Sequence, residues 1–241
     1  MKICALEVPA SFGEPRQRLA DVRAALGEET ADLFLLPECA LTGYVSADLD
    51  FDLRPFAEPL DGPTMRAYRA LARERGSHLA GPLVEEERGA FFNSFVIVEP
   101  GGALVAHYRK RHPWLPETWA TRGSLPYPSL ELGGLRVTLA VCYDVHFLAR
   151  EAHDALAAAD VLLFPSAWVD DGATDLRTGI FRSLVRRFGL TVVNANWGEG
   201  APRLPGQGRS RIAGPAGVVE APRRPGEVSR VVAEVGPKLG A

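Results

Sequence analysis

Short apolar runs that stop at a proline, a glycine or a charged residue recur through this chain, with amphipathic stretches of helical period between them. That alternation restricts the fold. A run without polar positions has no face left for water, so it belongs in a sheet covered on both sides. Residues 2–8 read as the first such strand. Residues 14–26 read as a helix with Leu19, Val22 and Leu26 on one face. Residues 32–36 form a short buried strand that Pro37 ends. A helix begins at Pro63, after Asp61-Gly62, and runs to Arg75 before Gly76.

The β content then rises. Residues 79–84, 91–98 and 103–109 read as successive strands, the last two joined by the turn Glu99-Pro100-Gly101-Gly102. Residues 111–129 form a long loop rich in Pro, Trp and Tyr; a loop of that length in a compact domain is often functional. Residues 135–141 form a strand that stops at Cys142. A helix over 147–159, a strand at 161–164, a helix at 175–188 and a strand at 190–195 follow. Residues 210–214 and 218–220 pair as a hairpin around Pro215-Ala216-Gly217, and 228–235 is the last strand. The expected class is α/β, with two mixed sheets sandwiched between helices. At 241 residues, without repeat or linker, the chain is expected to form one domain over 1–241.

Composition narrows the partners. Lys and Arg number 27 against 30 Asp and Glu, mixed along the chain, which argues against nucleic acid or an anionic membrane. No window nears the roughly 20 apolar residues of a membrane span, and residues 1–8 are too short an apolar run for a signal peptide. Cys4, Cys39 and Cys142 are three, without close spacing, which argues for a reducing, cytoplasmic setting. The five histidines lack a metal-ligand spacing, so no metal site is expected.

Three polar residues stand at equivalent places. Glu38 follows the strand at 32–36, Lys110 the strand at 103–109 and Cys142 the strand at 135–141. Sites in open α/β sheets gather beyond the carboxyl ends of strands, so the three can meet. A nearby ammonium favours the thiolate and is expected to lower the thiol pKa. A carboxylate can take the thiol proton and return it to a leaving amine. Lys110, with a backbone N–H such as that of Tyr143, can stabilise an oxyanion.

At these residues the chain resembles the nitrilase, or carbon–nitrogen hydrolase, superfamily. Leu35-Leu36-Pro37-Glu38 with Thr42-Gly43-Tyr44 is similar to its glutamate motif. Tyr108-Arg109-Lys110-Arg111-His112 resembles its lysine motif, and Val141-Cys142-Tyr143-Asp144 with Phe147 its cysteine motif. Asn93-Ser94, Leu162-Leu163-Phe164-Pro165-Ser166 and Gly208-Arg209-Ser210 match supporting segments, so the likeness runs through nearly the whole chain. The resemblance implies a four-layer α-β-β-α sandwich and hydrolysis of a non-peptide C–N bond through an acyl-thioester on Cys142, with no metal or organic cofactor. It further implies association into a homodimer or larger homo-oligomer through a helical face. Glu117 matches the family's second glutamate and would orient Lys110 or the attacking water. Tyr44 and Trp168 are expected against the substrate, beside Tyr143.

Two departures stand out. Phe147-Leu148-Ala149 replaces the usual Phe-Pro-Glu, and Arg186-Arg187-Phe188 stands where a glutamate is usual. Cys-Tyr-Asp looks more like the amidase branches than the true nitrilases. The leading expectation is therefore cleavage of a small linear amide, such as an ω-amide of a dicarboxylic acid. Its rivals are an N-carbamoyl amide hydrolase, a Cys–His thiol hydrolase with His112 or His146 as base, and a catalytically silent binder of a metabolite or protein.

Overall fold

The computed structural model describes residues 1–13, 15–171 and 174–238. Its strands form two six-stranded sheets built alike. In the first, β1 (Lys2–Glu7), β2 (Leu33–Leu35) and β3 (His78–Glu87) run parallel. An antiparallel pair, β4 (Ala90–Val98) and β5 (Leu104–Arg109), extends one side. The C-terminal β12 (Ser229–Glu234) closes the other, antiparallel to β1. The second sheet repeats the pattern. β7 (Leu135–Leu139), β8 (Val161–Ser166) and β9 (Thr191–Asn196) are parallel. The antiparallel pair is β10 (Arg211–Gly214) and β11 (Gly217–Glu220), and the closing strand is β6 (Ser129–Leu132).

Strand register decides what each face meets. Ala5, Leu35 and Ala80 are in register across β1, β2 and β3, and so share one face. They lie in the core that also holds Val137, Leu139 and Leu163 of the second sheet. The alternate residues Cys4, Phe34 and Leu79 share the opposite face. These pack with Val22 and Leu26 of α1 (Pro15–Leu26) and Met65, Tyr68 and Leu71 of α2 (Pro63–Arg75). Gly81 lets α2 lie close, because a Cβ there would stand 2.6 Å from the Tyr68 hydroxyl, which donates to the Pro82 carbonyl. The second sheet is covered by α3 (Leu148–Glu151), α4 (His153–Ala158) and α5 (Leu176–Phe188). The order of layers is α-β-β-α. No helix among the described residues is long and apolar enough to cross a membrane.

Two expectations differ from the structure. The helix expected over 147–159 is instead a 3-10 turn (Cys142–His146) followed by α3 and α4, which break at Ala152. Leu148, Ala152 and Leu156 all reach the core. The end of the expected 111–129 loop holds the start of β6, whose Gly133-Gly134 turn returns the chain antiparallel into β7. The expected start of α1 at Glu14 lies outside the described residues; the helix is described from Pro15. Asp175 caps α5 by accepting the Arg177 N–H, and Gly189 ends it at φ 68°.

The edge strand β5 delivers Lys110, and a buried carboxylate holds it. Glu85 of β3 accepts from the Ser94 hydroxyl at 2.5 Å, His107 Nε2 at 2.7 Å and both Nε and Nη2 of Arg109. Burial alone would raise its carboxyl, but these donors hold it at about 2. A depressed carboxyl contributes stability above its unfolded pKa and loses it as pH falls through the folded value. Glu85→Gln is therefore expected to lower the unfolding free energy at pH 7 by about 2 kcal/mol, allowing for screening at the sheet edge. In urea denaturation the gap should narrow between the ordinary carboxyl range and pH 2. Equal midpoints at pH 7 would refute this role.

Candidate active site

Loops from both sheets converge at the carboxyl ends of their strands. Glu38 lies just beyond β2, Lys110 directly follows β5 and Cys142 opens the 3-10 turn beyond β7. All three are buried, and Cys142, at 7%, keeps the most exposure. Lys110 Nζ lies 2.7 Å from Glu38 Oε1 and 2.5 Å from Glu117 Oε1. Glu38 also accepts Asn93 Nδ2 at 2.8 Å and, through Oε2, the Ala167 N–H at 2.9 Å. The Glu38 carboxylate acts on the Cys142 thiol and favours its protonated form.

The charges set the protonation states. Burial works against the Lys110 ammonium, but Glu117 and Glu38 outweigh it and hold the lysine well above its ordinary range. Burial raises the Glu117 carboxyl; Lys110 opposes that rise and Glu38 adds to it. The thiol departs from expectation. Burial pushes Cys142 well above the ordinary thiol range, Glu38 adds to the rise, and Lys110 only partly offsets it. The ammonium alone would lower the thiol pKa. The folded site sets two carboxylates against it in a dry pocket, so the resting sulfur is a neutral thiol.

The nucleophile candidate sits in a constrained turn. Cys142 has φ 45°, a left-handed conformation that non-glycine residues hold only where the surroundings enforce it. The Asp144 carboxylate accepts the Val141 N–H while the Asp144 N–H donates to the Val141 carbonyl. This reciprocal pair closes the turn around the cysteine. Asp144 also accepts the Tyr108 hydroxyl and the His112 N–H, each at 2.8 Å.

The other expected residues fall into two groups. Tyr44, expected against the substrate, gives its hydroxyl to Glu117 at 2.6 Å and packs against Phe51, Trp114 and Trp197. It stands behind the carboxylate. Tyr143 is half-buried beside His146, with ring centroids 5.0 Å apart. Trp168 is buried 5.9 Å from the His146 ring. The Trp168 N–H and carbonyl are bound to Asn196 and Trp197, while its indole N–H has no partner among the described residues. His112 stacks on Phe147 at 3.8 Å and its Nε2 meets Glu151 at 2.8 Å, so that ring is engaged away from the thiol. The departures lie outside the cluster: Leu148 is core, and Arg186 and Arg187 are exposed on α5.

Three contributors escaped the reading of the sequence as functional groups. Asn93 bridges both glutamates, at 2.8 and 3.4 Å. Its only signal was a place in a motif-like strand. The Ala167 N–H orients Glu38 from the second sheet, and a backbone group leaves no mark in a sequence. Asp144 was visible only as the third letter of Cys-Tyr-Asp. Among the described residues, no group of three or more His, Cys, Asp or Glu is placed to hold a metal ion.

Comparison with known proteins agrees with this geometry. A "Hydrolase in pqqF 5'region" of Pseudomonas protegens is 31% identical over 154 residues, 63% of this chain and about half, 53%, of that protein. An (R)-stereoselective amidase of Pseudomonas sp. is 27% identical over 221 residues, 91% of this chain and 79% of the relative. A crystal structure of an amidase from Nesterenkonia sp. superposes with a TM-score of 0.80 at 27% identity, covering 97% of this chain and 90% of the other. A cysteine-to-alanine variant of the amidase from Nesterenkonia sp. AN1 has been crystallised with butyramide. The pattern described as carbon-nitrogen hydrolase matches residues 7–235, nearly the whole chain. The chain belongs to the carbon–nitrogen hydrolase family.

Proposed function

We propose that this protein hydrolyses a small linear amide, with Cys142 as nucleophile, Glu38 as general base and acid, and Lys110 as electrostatic stabiliser. The observation that carries the reading is the buried Glu38–Lys110–Glu117 chain of ion pairs, whose charges act on the Cys142 thiol. Amidase relatives and the butyramide complex of the Nesterenkonia protein support an amide over a nitrile.

The steps follow from the protonation states. Because the resting thiol is neutral, Glu38 takes its proton as the sulfur attacks the amide carbon. The carbonyl oxygen gathers negative charge, which the Lys110 ammonium and the Tyr143 N–H stabilise. The tetrahedral intermediate collapses, protonated Glu38 gives its proton to the departing nitrogen, and ammonia leaves. A water then attacks the thioester as Glu38 takes one of its protons. The carboxylate product leaves and the thiol is restored. Glu117, held by Tyr44 and Asn93, keeps Lys110 charged and aimed. Association of two or more copies through a helical face belongs to the same reading, and sedimentation velocity checks it.

Ammonia release from a panel of small amides, ureido acids and nitriles tests the reaction. Wild type is expected to act on an amide and Cys142→Ala on nothing; ammonia and carbon dioxide appearing together would instead indicate a ureido substrate. Retained turnover in Cys142→Ala would defeat the thiol mechanism. Lys110→Ala is expected to lower kcat by about a hundredfold or more. His112→Ala and His146→Ala should stay within about threefold of wild type. The reverse pattern would point to a Cys–His pair.

A further inference from the structure

We infer that Asp144 is a positioning residue that registers the cysteine loop against the lysine loop. The inference rests on the proposed amide hydrolysis and extends it to a side chain whose bonds go to the frame around Lys110 and Cys142. Asp144 has no exposure. Its Oδ1 accepts the His112 N–H at 2.8 Å; its Oδ2 accepts the Tyr108 hydroxyl at 2.8 Å and the Val141 N–H at 3.2 Å. Tyr108 and His112 lie two residues either side of Lys110, and Val141 directly precedes Cys142. One carboxylate thus ties both flanks of the lysine, on the first sheet, to the entry of the nucleophile turn, on the second.

The turn needs such a tie. A left-handed cysteine relaxes unless neighbouring bonds over-determine it. The site also tolerates little drift, since a displacement of about 1 Å can cost about a hundredfold in rate. Stability alone does not account for this side chain. Burial pushes its carboxyl up to about 6, against the pull of Lys110, the Tyr108 hydroxyl and the two N–H donors. A raised carboxyl opposes folding in its ionised form, and that cost is relieved as pH falls from about 6 toward the ordinary aspartate value. The titratable groups facing it are Tyr108 and Tyr127, both kept protonated by burial, and the Lys110 ammonium; the His112 ring turns to Glu151.

Alkylation of Cys142 by iodoacetamide, followed by peptide mass spectrometry, tests the inference without a known substrate. At pH 7.5, Asp144→Asn, which keeps the size but loses one acceptor oxygen, is expected to slow alkylation at least about tenfold. Its near-ultraviolet circular dichroism should stay native. Both rates should fall as pH is lowered, in step with the thiolate fraction, with the variant the slower throughout. On a turned-over amide, kcat should drop while KM stays within about twofold. Equal alkylation rates for variant and wild type across the pH range would overturn the inference. Should Asp144→Asn fail to fold, Tyr108→Phe removes one donor to the same carboxylate. A slower rate there with unchanged KM supports the inference, and an unchanged rate overturns it. A wild-type Cys142 that resists alkylation overturns the thiol chemistry itself, and the inference with it.

Discussion

The buried Lys110 ammonium is the constraint to which the site answers. A lone charge cannot be buried at that depth, so the fold supplies two carboxylates within 2.7 Å and surrounds them with donors. Each donor comes from a different place: Asn93 from β4, Tyr44 from the loop beyond β2, the Ala167 N–H from the second sheet. Satisfying one cation thereby fixes how the two sheets stack at this end. Removing either carboxylate leaves the ammonium under-compensated in a dry pocket.

The construction of the sheets suits that demand. Each has three parallel strands, an antiparallel pair on one side and a closing strand on the other. Parallel strands point their carboxyl ends the same way, so β2 and β7 both open toward the site, and β5 joins them because two antiparallel steps restore its direction. Glu85, on β3 two strands inward, reaches across β4 to hold that outermost strand through His107 and Arg109. The mechanical task of β5 is to carry a charged residue into the interior from an edge. Its alternation of half-buried His107 and Arg109 with buried Ala106 and Tyr108 shows both duties.

Much of this was legible in the sequence, and the limits have physical causes. Apolar runs ending on Glu38, Lys110 and Cys142 mark strand ends, and strand ends are where sites form, so the chemistry and its place could be read together. β6 was hidden because its four residues alternate exposed Ser129 and Glu131 with Leu130 and Leu132 and make no apolar run. The interruption at Ala152 was hidden because the alanines and leucines of this stretch favour an unbroken helix and carry no breaker. Asn93 and Ala167 could not be read as donors, since a sequence does not say toward which carboxylate a strand aims. The direction of the Cys142 shift was misjudged for a related reason: it depends on a balance of charges and on dryness, both products of the assembled fold.

The neutral resting state of that thiol bears on how the protein survives. Peroxides and soft metal ions react with thiolates, and susceptibility to them follows thiolate character. A buried sulfur that keeps its proton offers little to either. The same burial and carboxylate pressure that delay ionisation therefore act as chemical camouflage.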